Sequence, residues 1–171
     1  MPVGSSVERD PGPAAVGWAV ASRHSLRVTH SPASRPDDRT LHVLVIDADR
    51  RVRHSLSGLI ELADGLVVAG SAADASTAMA ILERDHVDVC LIDPRLPELD
   101  AGMALMARLH DRWPDVALVA MGWSDAIEHP ALASGAVSFV SKCGQPDLIV
   151  DALQAAAHQG PTGTLDAGSG H

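Results

Sequence analysis

Five short apolar runs, each followed by a stretch with helical or turn spacing, constrain this chain more than any other feature. They are Leu41–Ile46, Leu66–Gly70, Val87–Ile92, Val116–Met121 and Val137–Val140. Rich in β-branched residues and mostly without polar alternation, they read as strands buried on both faces. Between the first two, Val52, Leu56, Leu59, Ile60 and Leu62 recur at three- and four-residue steps, which predicts an amphipathic helix ended by Asp64-Gly65. Asp74 can cap a second helix through Ala78, Met79, Ile81 and Leu82. Asp100 can cap a third through Met103, Leu105, Met106 and Leu109. A short helix over 125–134 ends at Gly135, and Pro146 starts a last one running to about Gln159. Strands separated by helices pair in parallel, because each crossover must span a helix, and right-handed crossovers put helices on both faces. The expectation is a doubly wound α/β domain.

The flanks follow different rules. Residues 1–40 hold five prolines amid Gly, Ser and Arg with no sustained period, so a disordered extension is expected. The weakly apolar stretch 14–21 follows Glu8, Arg9 and Asp10 rather than a basic region, which argues against a signal peptide. Residues 160–171, rich in Gly, are expected to be a flexible tail. The domain is thus placed at 41–159. Charge divides the same way. Residues 1–40 carry five arginines against four acids, whereas residues 41–171 carry eight basic against eighteen acidic side chains. Such an acidic domain is a poor direct binder of nucleic acid. No apolar run approaches the length of a membrane span. Cys90 and Cys143 form no CxxC pair, which suits a reducing cytoplasm. The nine histidines show no ligand spacing, so no transition-metal site is expected.

The candidate chemistry lies at strand ends. Asp47 closes the first run, followed by Ala48 and Asp49, and Asp93 closes the third. Open α/β sheets carry their ligands at that edge. Pro97 follows four residues after Asp93, and Asp100-x-Gly102 opens the next helix. Lys142, the only lysine, stands after the fifth strand in Gly135-Ala136-Val137-Ser138-Phe139-Val140-Ser141-Lys142. Over about residues 41–159 this set resembles the receiver domain of response regulators. The style of the last helix, ending Ala155-Ala156-Ala157-His158-Gln159-Gly160, is similar to receivers of NarL/LuxR-type transcriptional regulators.

The resemblance implies a CheY-like, flavodoxin-like fold with strand order 2-1-3-4-5. It implies Asp93 as phosphoacceptor, since a carboxylate nucleophile at a strand tip is the chemistry of aspartyl-phosphate formation. Lys142 would pair the acceptor and then the phosphoryl oxygens. Mg²⁺ would be held by Asp47, Asp93 and the backbone carbonyl of Arg95, neutralising charge on the transferring group. Two family positions depart from the pattern. Ala48 replaces the second carboxylate of the acidic turn, which predicts weak or absent Mg²⁺ binding unless Asp49 bends back to substitute. Gly122 replaces the hydroxyl residue that ends strand 4, leaving Phe139 at the aromatic switch position without the partner that moves it. Pro130 is expected to reshape the helix that follows.

The implied function is a non-enzymatic, atypical receiver in two-component phosphorelay signalling, with a sensor histidine kinase or another signalling protein as partner. An alternative is a phosphorylation-independent module that dimerises or binds proteins through its last two strands and helices. An Asp-dependent phosphatase, suggested by Asp47-Ala48-Asp49, fits the Asp93 and Lys142 contexts less well. Residues 161–171 are too short for a DNA-binding output domain.

Overall fold

A computed structural model describes residues 39–159. The expected disordered extension and C-terminal tail fall, but for Arg39 and Thr40, outside the described residues. Five strands and five helices alternate: β1 (Leu41–Ile46), α1 (Arg50–Leu62), β2 (Leu66–Ala72), α2 (Ala75–Arg84), β3 (Val89–Ile92), α3 (Leu99–Arg112), β4 (Ala117–Gly122), α4 (Glu128–Ala133), β5 (Ser138–Ser141) and α5 (Pro146–His158). A single 3-10 turn, Asp125–Ile127, leads into α4. All strand pairs are parallel, in the order β2-β1-β3-β4-β5. This is the flavodoxin-like arrangement expected.

Strand alternation divides the core into two apolar layers. Leu44, Ile46, Cys90, Ile92, Leu118 and Ala120 pack with Leu105, Met106 and Leu109 of α3 and with α2. Val43, Val45, Leu91, Val119 and Met121 pack with Leu56 and Ile60 of α1 and Ile149 and Leu153 of α5. Both layers are almost wholly aliphatic, and the partly buried Phe139 and Trp113 pack at the border of the first.

Several boundaries differ from the sequence expectation. β2 runs two residues further, to Ala72, with a register shift opposite Val43 and Leu44 that leaves Ala69 as an extra residue. β3 begins at Val89, just after Asp88, whose carboxylate accepts from the His42 N–H at 2.8 Å. Asp74 caps α2 as expected, accepting from the Thr77 N–H. Asp100 does not cap α3. The helix starts at Leu99, the residue before it, Glu98, makes no side-chain cap bond, and Asp100 lies in the first turn. There its charge still favours the helix N-terminus. Pro130 occupies the third residue of α4, where no helical N–H partner is lost, so it sits in a first turn rather than in a helix interior. Gly102 is fixed by packing: a Cβ there would run into the Pro94 carbonyl. That contact holds the β3–α3 loop against its own helix. The Leu96–Pro97 peptide in this loop is cis.

Candidate functional site

The strand order reverses direction between β1 and β3, so the ends of these two strands lie side by side at the C-terminal edge of the sheet. Each strand hands its final carboxylate to that crevice. The Asp47 N–H donates to Ala72 O of β2, and the Asp93 N–H donates to Ile46 O of β1, which fixes both backbones to the sheet. On the far side the Lys142 N–H donates to Gly122 O, extending the β4–β5 pairing by one residue.

The three side chains meet. Lys142 Nζ donates to Asp47 Oδ2 at 2.5 Å and to Asp93 Oδ2 at 2.5 Å. Asp47 is 3% exposed and Asp93 7% exposed, and the Lys142 side chain between them is 5% exposed. The remaining oxygens also have donors. Asp47 Oδ1 accepts from the Asp49 N–H at 2.7 Å, and Asp93 Oδ1 accepts from the Arg95 N–H at 2.8 Å. Each of the four carboxylate oxygens therefore has one protein donor. Burial works against the Lys142 ammonium, but hydrogen bonds and charge from Asp47 and Asp93 outweigh it, and its pKa is raised above the usual lysine value.

The other expected site residues are placed as follows. Ala48 is exposed and brings no ligand. The Asp49 carboxylate points along α1, where it caps the helix by accepting from the Arg51 N–H at 2.7 Å. Arg53 adds a second cation at this turn, donating to the backbone oxygens of Asp47 at 2.6 Å and Ala48 at 3.0 Å. Arg95 contributes its N–H to Asp93.

At the end of β4, Gly122 has no side chain, and the space is taken by Ile127. A Cβ on Gly122 would collide with Ile127 Cδ1 and lie 3.3 Å from Phe139 Cε2. Ile127 is buried, and it comes from the 3-10 turn just before α4. Phe139 is half-buried at the edge of the α3-side layer. Sequence reasoning found Gly122 and Phe139 but missed Ile127. The signal available was its position, an apolar residue in a turn five places after a glycine. Trp123, 59% exposed, stands at the mouth with its ring centroid 5.7 Å from Lys142 Nζ.

Residues 43–154 match the family model described as "Response regulator receiver domain". Over 105 residues the chain is 37% identical to protein-glutamate methylesterase/protein-glutamine glutaminase 6 of Anaeromyxobacter dehalogenans, covering 61% of this chain and 30% of that protein. It is 28% identical over 104 residues to the transcriptional regulatory protein CitT of Bacillus subtilis, covering 60% of this chain and 46% of that one. The chain thus spans less than half the length of these relatives. In fold it is similar to the isolated REC domain of RcsB from Salmonella enterica serovar Typhimurium, with a TM-score of 0.64 at 19% identity, over 72% of this chain and 92% of that one. It is also similar to the signal receiver domain of an HD domain-containing protein from Pseudomonas fluorescens Pf-5, with a TM-score of 0.62 at 23% identity, over 71% and 97%. With the family model covering nearly all of the described residues, the chain belongs to the response regulator receiver family.

Proposed function

We propose that this receiver works in two-component signalling with Asp93 at the phosphoacceptor position, but with a site that no longer couples a phosphoryl group to the far surface. The observation that carries this reading is the Lys142 bridge. One ammonium spans Asp47 Oδ2 and Asp93 Oδ2 while backbone N–H groups take the other two oxygens. Mg²⁺ fits this donor set poorly. It requires near-ideal octahedral oxygen ligation and dehydrates reluctantly. Two carboxylates and one internal cation leave a net charge of −1, with the third acid replaced by Ala48 and the Asp49 carboxylate engaged at a helix cap. Weak Mg²⁺ binding follows.

Ile127 supports the second half of the proposal. A ligand shifts a two-state equilibrium only through its differential interaction with the two states. Gly122 offers no hydroxyl to follow a phosphoryl group, and Ile127 fills the space that a side chain there would take beside Phe139. Signalling then rests on protein contact, with a sensor kinase, another signalling protein or a second copy as partner. Trp123 and Leu148, both more than half exposed, lie on the β4–α5 side that such a contact would use. We read the domain as non-enzymatic, a reading supported by the receiver-domain match over residues 43–154. The acidic balance of residues 41–171 argues against direct nucleic-acid binding, and no described helix is long and apolar enough to cross a membrane.

The experiment is sedimentation velocity with Mg²⁺, with and without beryllofluoride, paired with intact-mass analysis after exposure to acetyl phosphate. The expected result is an unchanged sedimentation coefficient whatever the degree of modification. A monomer-to-dimer shift on adding beryllofluoride would establish instead an ordinary phosphorylation-driven receiver, the reading favoured by the retention of Asp93 and Lys142.

A further inference from the structure

At the opposite edge of the sheet, where strands begin, three groups with metal-ligating chemistry converge from β1 and from the loop between α2 and β3. His42 is the second residue of β1, and His86 and Asp88 precede β3. His42 Nδ1 lies 3.3 Å from Asp88 Oδ2, and His86 Nε2 lies 3.1 Å from Asp88 Oδ1. All three ligating groups fall within 4.8 Å of one another, and the two rings meet edge to face with centroids 5.2 Å apart. Sequence spacing could not reveal this cluster, because its members come together only when β1 pairs with β3.

The separations have chemical meaning. Zinc binds imidazole nitrogen and carboxylate oxygen at roughly 2.0–2.2 Å, so ligands of a tetrahedral ion stand about 3.4 Å apart. The two distances run to different oxygens of Asp88, so each histidine stands about one such edge from the carboxylate. The cluster already accommodates a cation. Arg39 Nη2 donates to Asp88 Oδ1 at 2.6 Å and lies 3.3 Å from His86 Nε2. A guanidinium nitrogen can only donate and a carboxylate oxygen can only accept, so His86 Nε2 serves Arg39 with its lone pair in one tautomer or Asp88 Oδ1 with its N–H in the other, and a metal would take the lone pair of the first. Asp88 is held for the role by its own backbone partner, the His42 N–H.

We infer that His42 Nδ1, His86 Nε2 and Asp88 form a binding site for a divalent ion of zinc type, in which the ion displaces the Arg39 guanidinium. Imidazole with a single carboxylate suits zinc and its transition-metal neighbours and not Mg²⁺. Three protein ligands leave a fourth position open to water or to a donor from a partner. The site is separate from the Asp93 crevice, since it lies at the other end of the same strands and shares no residue with it.

Isothermal titration of the full-length chain with Zn²⁺, and with Co²⁺ as a coloured substitute, tests the inference. One equivalent should bind, with Co²⁺ giving the intense visible absorption of a tetrahedral ion. His86→Ala removes an exposed ligand without touching the core, and should weaken binding at least tenfold, the low end of what even supporting residues of a metal site cost. His42→Ala should do the same. Arg39→Ala removes the competing cation and should tighten binding. The expected set is therefore weaker, weaker and tighter. No binding by either the wild type or Arg39→Ala would overturn the inference. So would binding that survives unchanged in His86→Ala, since the metal would then be held by other histidines.

Discussion

Lys142 is the residue on which the crevice depends. Removing it, as in Lys142→Met, leaves Asp47 and Asp93 buried without a cation, a change that costs about 3–5 kcal/mol when one partner of a buried pair is lost. Chemical denaturation should show a loss of that size. Mg²⁺ should recover part of it in the variant, where the cation position has been vacated, and should add little to the wild type. Equal stabilisation of both proteins by Mg²⁺ would show that the ammonium and the metal do not compete. The pH dependence has a definite sign. Because the folded-state pKa of Lys142 is raised, its stabilisation is complete below the ordinary lysine value of 10.5 and is lost only as pH rises through the higher folded value. The difference between wild type and Lys142→Met should therefore persist across the neutral range and narrow in strong alkali.

At the scale of elements, the join between β4 and α4 decides whether the switch can be rebuilt. Gly122→Thr alone should destabilise the domain by about 1–3 kcal/mol, the cost of overpacking, because the new side chain meets Ile127. Ile127→Ala added to it should return part of that loss, and a thermal-melt double-mutant cycle measures the coupling. Additive losses would mean that Ile127 moves aside freely. Sensitivity to beryllofluoride should require the triple change Ala48→Asp, Gly122→Thr and Ile127→Ala. The first two alone, the repair that sequence suggests, leave the plug in place. This join also marks where the sequence stopped being legible. Strand and helix types were readable because Val43, Val45, Leu56 and Ile60 repeat with the periods of their elements. The convergence of Asp47, Asp93 and Lys142 was readable because parallel strands bring their ends to one edge. Ile127 was not, since nothing in a run of Trp123-Ser124-Asp125-Ala126-Ile127 says that a one-turn 3-10 segment will fold back over a glycine. The start of α3 at Leu99 was hidden for a similar reason: Glu98 stands at the N-cap position without a side-chain cap bond, so no side-chain signal marks it.

For the molecule as a whole, the two cysteines report opposite environments. Cys90, in the middle of β3, has its pKa pushed up to about 12 by burial, while Cys143 is exposed beside the crevice. A thiol reagent at neutral pH should modify one cysteine in the native protein and two after denaturation. Rapid modification of both without denaturant would mean that the sheet opens readily between β1 and β4. The near-absence of aromatic side chains from the layers has a further, optical consequence. The chain has no tyrosine and one phenylalanine, and its described tryptophans sit at opposite ends of the strands. Trp123 stands over Lys142 where β4 ends, and Trp113 lies under the Arg112 guanidinium, 4.8 Å from ring centroid to Cζ, just before β4 begins. Emission from this domain therefore watches its two rims while the interior stays dark. The Trp123 signal belongs to the Asp93 end and the Trp113 signal to the end that holds His42, His86 and Asp88, so replacing Trp18 and either of these two indoles by phenylalanine leaves a native lamp at one site alone.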